Sequence, residues 1–96
     1  MTEPDVAVII LCWNGRTFLE KFLPSVVAHT PASVSRIIVA DNGSTDDSAE
    51  IVKRFSGVEW LPLNNNFGFA EGYNQAIAKT DAKWIVLLNQ DVEETI

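Results

Sequence analysis

Val6-Ala-Val-Ile-Ile-Leu-Cys12 leads directly into Trp13-Asn14-Gly15, and then into Arg16-Thr-Phe-Leu-Glu-Lys-Phe-Leu-Pro-Ser-Val26. The first run is apolar without interruption and rich in Val and Ile, which predicts a strand buried on both faces. The run after Gly15 changes period. Phe18, Leu19, Phe22, Leu23 and Val26 recur at spacings of three and four, so residues 16–29 predict an amphipathic helix. Pro24 falls inside that helix and removes a backbone donor, which predicts a kink, or a break with Pro24 opening a second piece.

The alternation continues. Arg36–Ala40 reads as a second strand, and Ser44-Thr-Asp-Asp47 as a helix start with Ser44 as cap and Asp47 reaching back. That helix carries Ile51, Val52 and Phe55 inward and stops at Gly57. Val58–Leu63 is a weaker strand, and Pro62 suggests an edge position. Asn64-Asn-Asn66 is loop, Ala70–Lys79 a third helix and Trp84–Leu88 a fourth strand. Strands separated by helices pair in parallel through right-handed crossovers. The fold expected is therefore α/β, a three-layer αβα arrangement with a mostly parallel sheet.

Composition removes several function classes. Seven Lys and Arg stand against thirteen Asp and Glu, a formal charge of −6, so a nucleic-acid partner is not expected. Apolar residues at 47% exclude a disordered acidic tail. A domain of this size buries only roughly 60–65% of its unfolded surface, which makes for modest stability. The longest apolar run, Val6–Trp13, falls far short of the ~20 residues a membrane span needs. Glu3 and Asp5 beside it are wrong for a signal peptide. Cys12 is the single cysteine, which leaves no internal disulfide and no cysteine-based zinc site. A cytoplasmic location follows as the expectation.

In open parallel sheets, ligands sit at the carboxyl ends of the strands. Here those ends read Trp13-Asn-Gly15, Asp41-Asn-Gly-Ser44, Asn64-Asn-Asn66 and Asn89-Gln-Asp91. Every apolar strand stops at an Asn, while the amino ends show no such pattern. Asn, Asp and Gly are also ordinary turn formers, so each loop taken singly has a structural explanation. Asp41 directly follows a buried strand, which suits a carboxylate that accepts ring N–H or ribose hydroxyls, binds a metal, or takes a phosphoryl group. Asp46 and Asp47 are explained by the helix macrodipole. A calcium loop over Asp41–Asp47 fails, because Val52 stands where Glu is needed. No Gly-Lys-Ser/Thr occurs for a phosphate loop, and Gly68 and Gly72 do not make a dinucleotide fingerprint. Gly68 at a helix start still permits close approach of a pyrophosphate. Asp91 emerges at the same rim as Asp41; it is either one carboxylate of a divalent-metal site completed by phosphates or part of a solvated acidic terminus with Glu93 and Glu94. Elsewhere, His29 reads as a helix-end residue, Trp60 and Trp84 as core, Tyr73 as core or pocket, and Cys12 as a buried apolar side chain.

Four blocks carry a resemblance: Val8-Ile-Ile-Leu-Cys-Trp-Asn-Gly15, Ile38-Val-Ala-Asp-Asn-Gly-Ser-Thr-Asp46, Asn66-Phe-Gly-Phe-Ala-Glu-Gly-Tyr-Asn74 and Val86-Leu-Leu-Asn-Gln-Asp-Val92. In order and spacing they resemble the family 2 inverting glycosyltransferases, most of all the bacterial rhamnosyltransferase-like branch. The resemblance implies a GT-A fold, Rossmann-like, with strand order 3-2-1-4. It implies a site for a nucleotide-diphosphate sugar, a UDP- or dTDP-sugar, with hexosyl or deoxyhexosyl transfer. Asp41 then bonds the ring N–H of a pyrimidine, with Cys12, Trp13 and Asn14 along the same pocket. Asn66 and Gly68 line the ribose and diphosphate. Asn89 and Asp91 match an Asp-x-Asp element whose last carboxylate holds Mg²⁺ or Mn²⁺. Asn89 contributes no charge at its first position, and Glu71 stands where the branch often has Gly.

Inverting transfer also needs a general base, which in this family lies well downstream in an acceptor-binding part, beyond Ile96. Residues 1–96 are accordingly expected to be the donor-binding part of a larger domain, truncated after the fourth strand and inactive alone. The acceptor would be a glycan or a lipid-linked acceptor in cell-surface polysaccharide synthesis, at the inner face of the membrane. The competing expectation is a stand-alone nucleotide or nucleotide-sugar binding module. A phosphoacceptor receiver reading of Asp41 lacks the acidic pair at the end of strand one, where Trp13 and Asn14 stand. Trp84–Leu88 would be an open edge strand, inviting self-association.

Overall fold

The computed structural model describes residues 5–31, 33 and 35–89. The elements run β1 (Val6–Cys12), α1 (Arg16–Ala28), β2 (Ser35–Asp41), α2 (Ser48–Val52), β3 (Val58–Pro62), α3 (Phe69–Ala78) and β4 (Trp84–Asn89). One sheet forms in the order β3-β2-β1-β4, parallel throughout. Pro62 ends β3 on the sheet edge, where a missing N–H costs no ladder bond.

The strand period sorts side chains to two faces. Ala7, Ile9 and Leu11 of β1 join Ile38 and Ala40 of β2 and meet Tyr73 and Ala76 of α3. On the other face, Ile10, Cys12, Ile37 and Val39 meet Leu19 and Leu23 of α1 and Ile51 and Val52 of α2. The result is the expected three-layer αβα sandwich around β1, whose Ala7, Ile9 and Cys12 are wholly buried. Burial of β1 on both faces explains its unbroken apolar run. No helix among the described residues is long and apolar enough to cross a membrane.

Three local expectations change. Of the kink or break expected at Pro24, the break does not occur: helix α1 runs through Pro24 as one element. Pro24 is exposed, while Leu19 and Leu23 anchor the buried face on the sheet, and packing of that face outweighs the lost backbone bond. Helix α2 begins at Ser48, not Ser44, and ends at Val52 well before Gly57. Ser44 is not free to cap it, because its hydroxyl accepts the Asn14 N–H at 2.8 Å. Trp84 is 64% exposed and does not belong to the core, whereas Trp60 packs partly buried beside the α1/α2 cluster.

Asp46 serves two helices at once. One carboxylate oxygen accepts Arg16 N at 3.2 Å, at the start of α1, and the other accepts the Ser48 N–H at 3.0 Å and the Ser48 hydroxyl. Neither α1 nor α2 has a cap bond from its own preceding residue. Slight burial opposes ionisation of Asp46, but the Ser48 and Arg16 donors outweigh it and hold the carboxyl below its ordinary 3.8. The stabilisation is therefore present above that pH and lost as pH falls through the lowered value. Asp46→Ala should cost about 1–2 kcal/mol at neutral pH, in line with loss of helix caps. The difference between the two proteins in denaturant titrations should begin to shrink as pH falls below 3.8 and go on shrinking through the lowered value, and a difference that does not shrink in acid would refute this role.

Gly43, just past β2, sits at φ +88, and a Cβ on it would lie 2.9 Å from the Asn65 carbonyl carbon and 3.0 Å from Asn66 N. Gly57 has nothing within 4 Å. Gly43→Ala should destabilise by about 1–3 kcal/mol through strain and collision, while Gly57→Ala should change stability little. Equal melting temperatures for the two variants would contradict this account.

Candidate functional site

All strand ends of a parallel sheet share one rim, and the loops leaving it must find partners for backbone groups that the ladder no longer serves. Asp41 pairs in register with Cys12, and its side chain falls on the α1/α2 face. It is 8% exposed, and its carboxylate oxygens accept the Ser44 N–H at 3.1 and 3.3 Å. A carboxylate has about four acceptor sites, so capacity for further donors remains. Asn42, the next residue, turns to the α3 face and bonds the loop after β3.

Asn14 occupies the left-handed region at φ 48. Its Oδ1 accepts Thr45 N at 2.7 Å and Asp46 N at 3.3 Å, which staples the loop after β1 to the loop after β2. Cys12 is wholly buried behind this staple, with its sulfur 3.9 Å from Ser44 Oγ. Burial pushes the Cys12 thiol up, and the charge of Asp41 adds to that. Trp13, between them, is 50% exposed.

Asn66 lies in the loop before α3, where its Oδ1 accepts Gly68 N at 2.9 Å. Gly68 stands at the start of α3 with φ 80, and a Cβ there would meet nothing within 4 Å. Backbone conformation, not crowding, thus selects glycine at this position, and the space in front of it is open. No side chain caps α3. Glu71, in its first turn, accepts from Gln75 Nε2 at 2.7 Å, which ties its carboxylate to the next turn of the helix.

Asn89 ends β4 opposite Leu11 of β1, so the chain reaches the same rim there. Asp91 lies outside the described residues. Among the described residues, no three His, Cys, Asp or Glu side chains gather in a way that could hold a metal ion.

The rim brings Cys12, Trp13, Asn14 and Asp41 to one side and Asn66 and Gly68 to the other. Sequence reasoning gave no role in the site to four residues that link these groups: Asn42, Gly43, Ser44 and Gly72. Strand alternation carried a signal for Asn42, since a residue after Asp41 must face the opposite layer. Nothing in the sequence reveals that Gly72 lies against Asn42, because that contact joins α3 to β2.

The family model described as glycosyl transferase family 2 matches residues 7–95. The chain is 33% identical to an N-acetylglucosaminyl-diphospho-decaprenol L-rhamnosyltransferase of Mycobacterium tuberculosis, over 90% of this chain and 32% of that protein. It therefore spans about a third of the length of such curated relatives. Two solved structures share the fold at 21% identity and a TM-score of 0.78. One is S. aureus TarS 1–349 in complex with UDP-GlcNAc, covering 91% of this chain and 26% of that one. The other is the mannosyltransferase PcManGT from Pyrobaculum calidifontis in complex with GDP-Man and Mn²⁺, covering 95% of this chain and 28% of that one. The parallel sheet of order β3-β2-β1-β4 is thus a GT-A, Rossmann-like arrangement. By the match over residues 7–95, this chain belongs to glycosyl transferase family 2.

Proposed function

We propose that residues 1–96 form the donor-binding part of an inverting glycosyltransferase that takes a nucleotide-diphosphate sugar. The observation that carries this reading is the pairing, at one rim, of a buried carboxylate with spare acceptor capacity and an open glycine at a helix start. The first suits the ring N–H of a pyrimidine, and the second suits a diphosphate near backbone amides and the positive end of α3. Trp13, 50% exposed just past β1, lies along the base, while Cys12 and Asn14 form the wall behind it. Asn66 and Asn89 serve the ribose, and Asp91 holds Mg²⁺ or Mn²⁺ together with the diphosphate. A cation bound there offsets the charge that grows on the leaving diphosphate.

The acceptor hydroxyl and its general base belong, in this reading, to further sequence of the kind that makes relatives about three times longer. The acceptor is a glycan or lipid-linked glycan of the cell surface, with transfer on the cytoplasmic side of the membrane. The M. tuberculosis relative's name, with its decaprenol-linked substrate, supports that setting.

Calorimetric titration should show weak, Mn²⁺-dependent binding of UDP or dTDP, without sugar transfer by this chain alone. Asp41→Ala should weaken binding about tenfold or more, as expected for loss of a bond to a charged group. Asp91→Asn should remove the metal dependence. Absence of binding by either nucleotide would sink the donor reading.

Among the described residues, strand β4 pairs with β1 alone, and Trp84, Val86, Leu87 and Leu88 are exposed along it. An apolar edge of this kind supports self-association of the chain. Sedimentation velocity should show concentration-dependent assembly that Val86→Lys reduces; a clean monomer at high concentration would rule it out.

A further inference from the structure

Asn42 is 3% exposed, and its amide is spent on one loop. Oδ1 accepts Phe67 N at 3.0 Å, and Nδ2 donates to Gly68 O at 3.0 Å and reaches Asn66 Oδ1 at 3.5 Å. Its own backbone N–H donates to Cys12 O at 2.7 Å, which seats the residue against the end of β1. Helix α3 closes over it: a Cβ at Gly72 would lie 2.9 Å from Asn42 Nδ2 and 3.0 Å from a Leu11 methyl.

The loop presents this side chain with one N–H and two oxygens. Only an amide answers both, because it accepts through one atom and donates through the other. A carboxylate of the same shape would keep the bond from Phe67 N but would set a negative oxygen against the Gly68 carbonyl. Alanine would strand a part-buried N–H and carbonyl together, at the cost that unpaired groups carry.

We propose that Asn42 is a positioning residue for the donor site. It holds the backbone from Asn66 to Gly68, and with it the start of α3, in the attitude that receives the ribose and diphosphate. The proposal rests on the donor reading above and adds to it a residue that touches the ligand only through the loop.

The test compares the unaltered chain with Asn42→Asp, Asn42→Ala and Val26→Ala. Val26 packs on the α1/α2 cluster, on the other face of the sheet. Amide hydrogen exchange at Phe67 and titration with UDP and Mn²⁺ are measured well below each melting temperature. Asn42→Asp should retain slow exchange at Phe67 yet weaken UDP about fivefold or more. Asn42→Ala should lose both, and Val26→Ala should lower the melting temperature while leaving both unchanged. If the unaltered chain binds UDP and Asn42→Asp binds it equally well, Asn42 is a brace without bearing on the donor and the proposal falls alone. If the unaltered chain binds no nucleotide, the donor reading falls and takes this proposal with it.

Discussion

The backbone at Asn65 and Asn66 passes so close to Gly43 that a Cβ there would sit 2.9 Å from the Asn65 carbonyl carbon. Much of the rim depends on that approach. Gly43 lets the loop after β3 come down onto the end of β2, and Asn42, one residue earlier, then reaches Phe67 and Gly68. Asp41, one residue earlier again, faces the opposite layer and fixes the turn through Ser44 N. Ser44, the residue after Gly43, in turn receives Asn14 N, so the loop after β1 is tied to the same turn. Four consecutive residues therefore hold three loops, each through a different property: charge, an amide, the absence of a side chain, and a hydroxyl.

The recurrence of Asn at the strand ends has a structural cause that does not compete with a binding role. Where a parallel sheet stops, both N–H and C=O groups of the emerging loops lose their ladder partners. An Asn side chain can serve either kind and also tolerates the left-handed conformation, as Asn14 does at φ 48 and Asn64 at φ 68. Asn14 and Asn66 spend their Oδ1 atoms on loop backbone. What a ligand would meet is then largely the surface these amides hold in place: the Trp13 ring, the Asp41 carboxylate and the open side of Gly68.

The layers, the parallel pairing and the rim were legible in the sequence because each rests on a repeating pattern or a strand end. Ile9 and Ile10 had to face opposite layers, and they do. Contacts between distant segments were not legible. The start of α2 moved from Ser44 to Ser48 because Asn14, some thirty residues earlier, claims the Ser44 hydroxyl. Pro24 failed to divide α1 because its cost is local, while the burial of Leu19 and Leu23 depends on the whole sheet. Trp84 reads as core by composition, yet it lies on β4, which has one neighbour in the sheet among the described residues. Hydrophobicity announces that a side chain needs cover; it does not say which element supplies it.

The net charge of −6 takes on a definite meaning at the rim. Arg16, at the start of α1, has its guanidinium 3.3 Å from Asp47 and 3.7 Å from Glu20, so its charge is already met by carboxylates. Glu71, the acidic residue nearest the start of α3, is held by Gln75. The positive charge of Arg16 is thus already met, while Glu71 keeps its negative charge and is only tethered by a neutral amide. An anionic diphosphate at this rim would draw its stabilisation from the amides and dipole of α3 and from a cation brought with it. Such a site depends on where backbone groups point, to within a few tenths of an ångström, far more than a cluster of lysines would. On the proposed donor reading, that dependence would give glycine at 43 and an amide at 42, neither of which carries charge, a part in an electrostatic task.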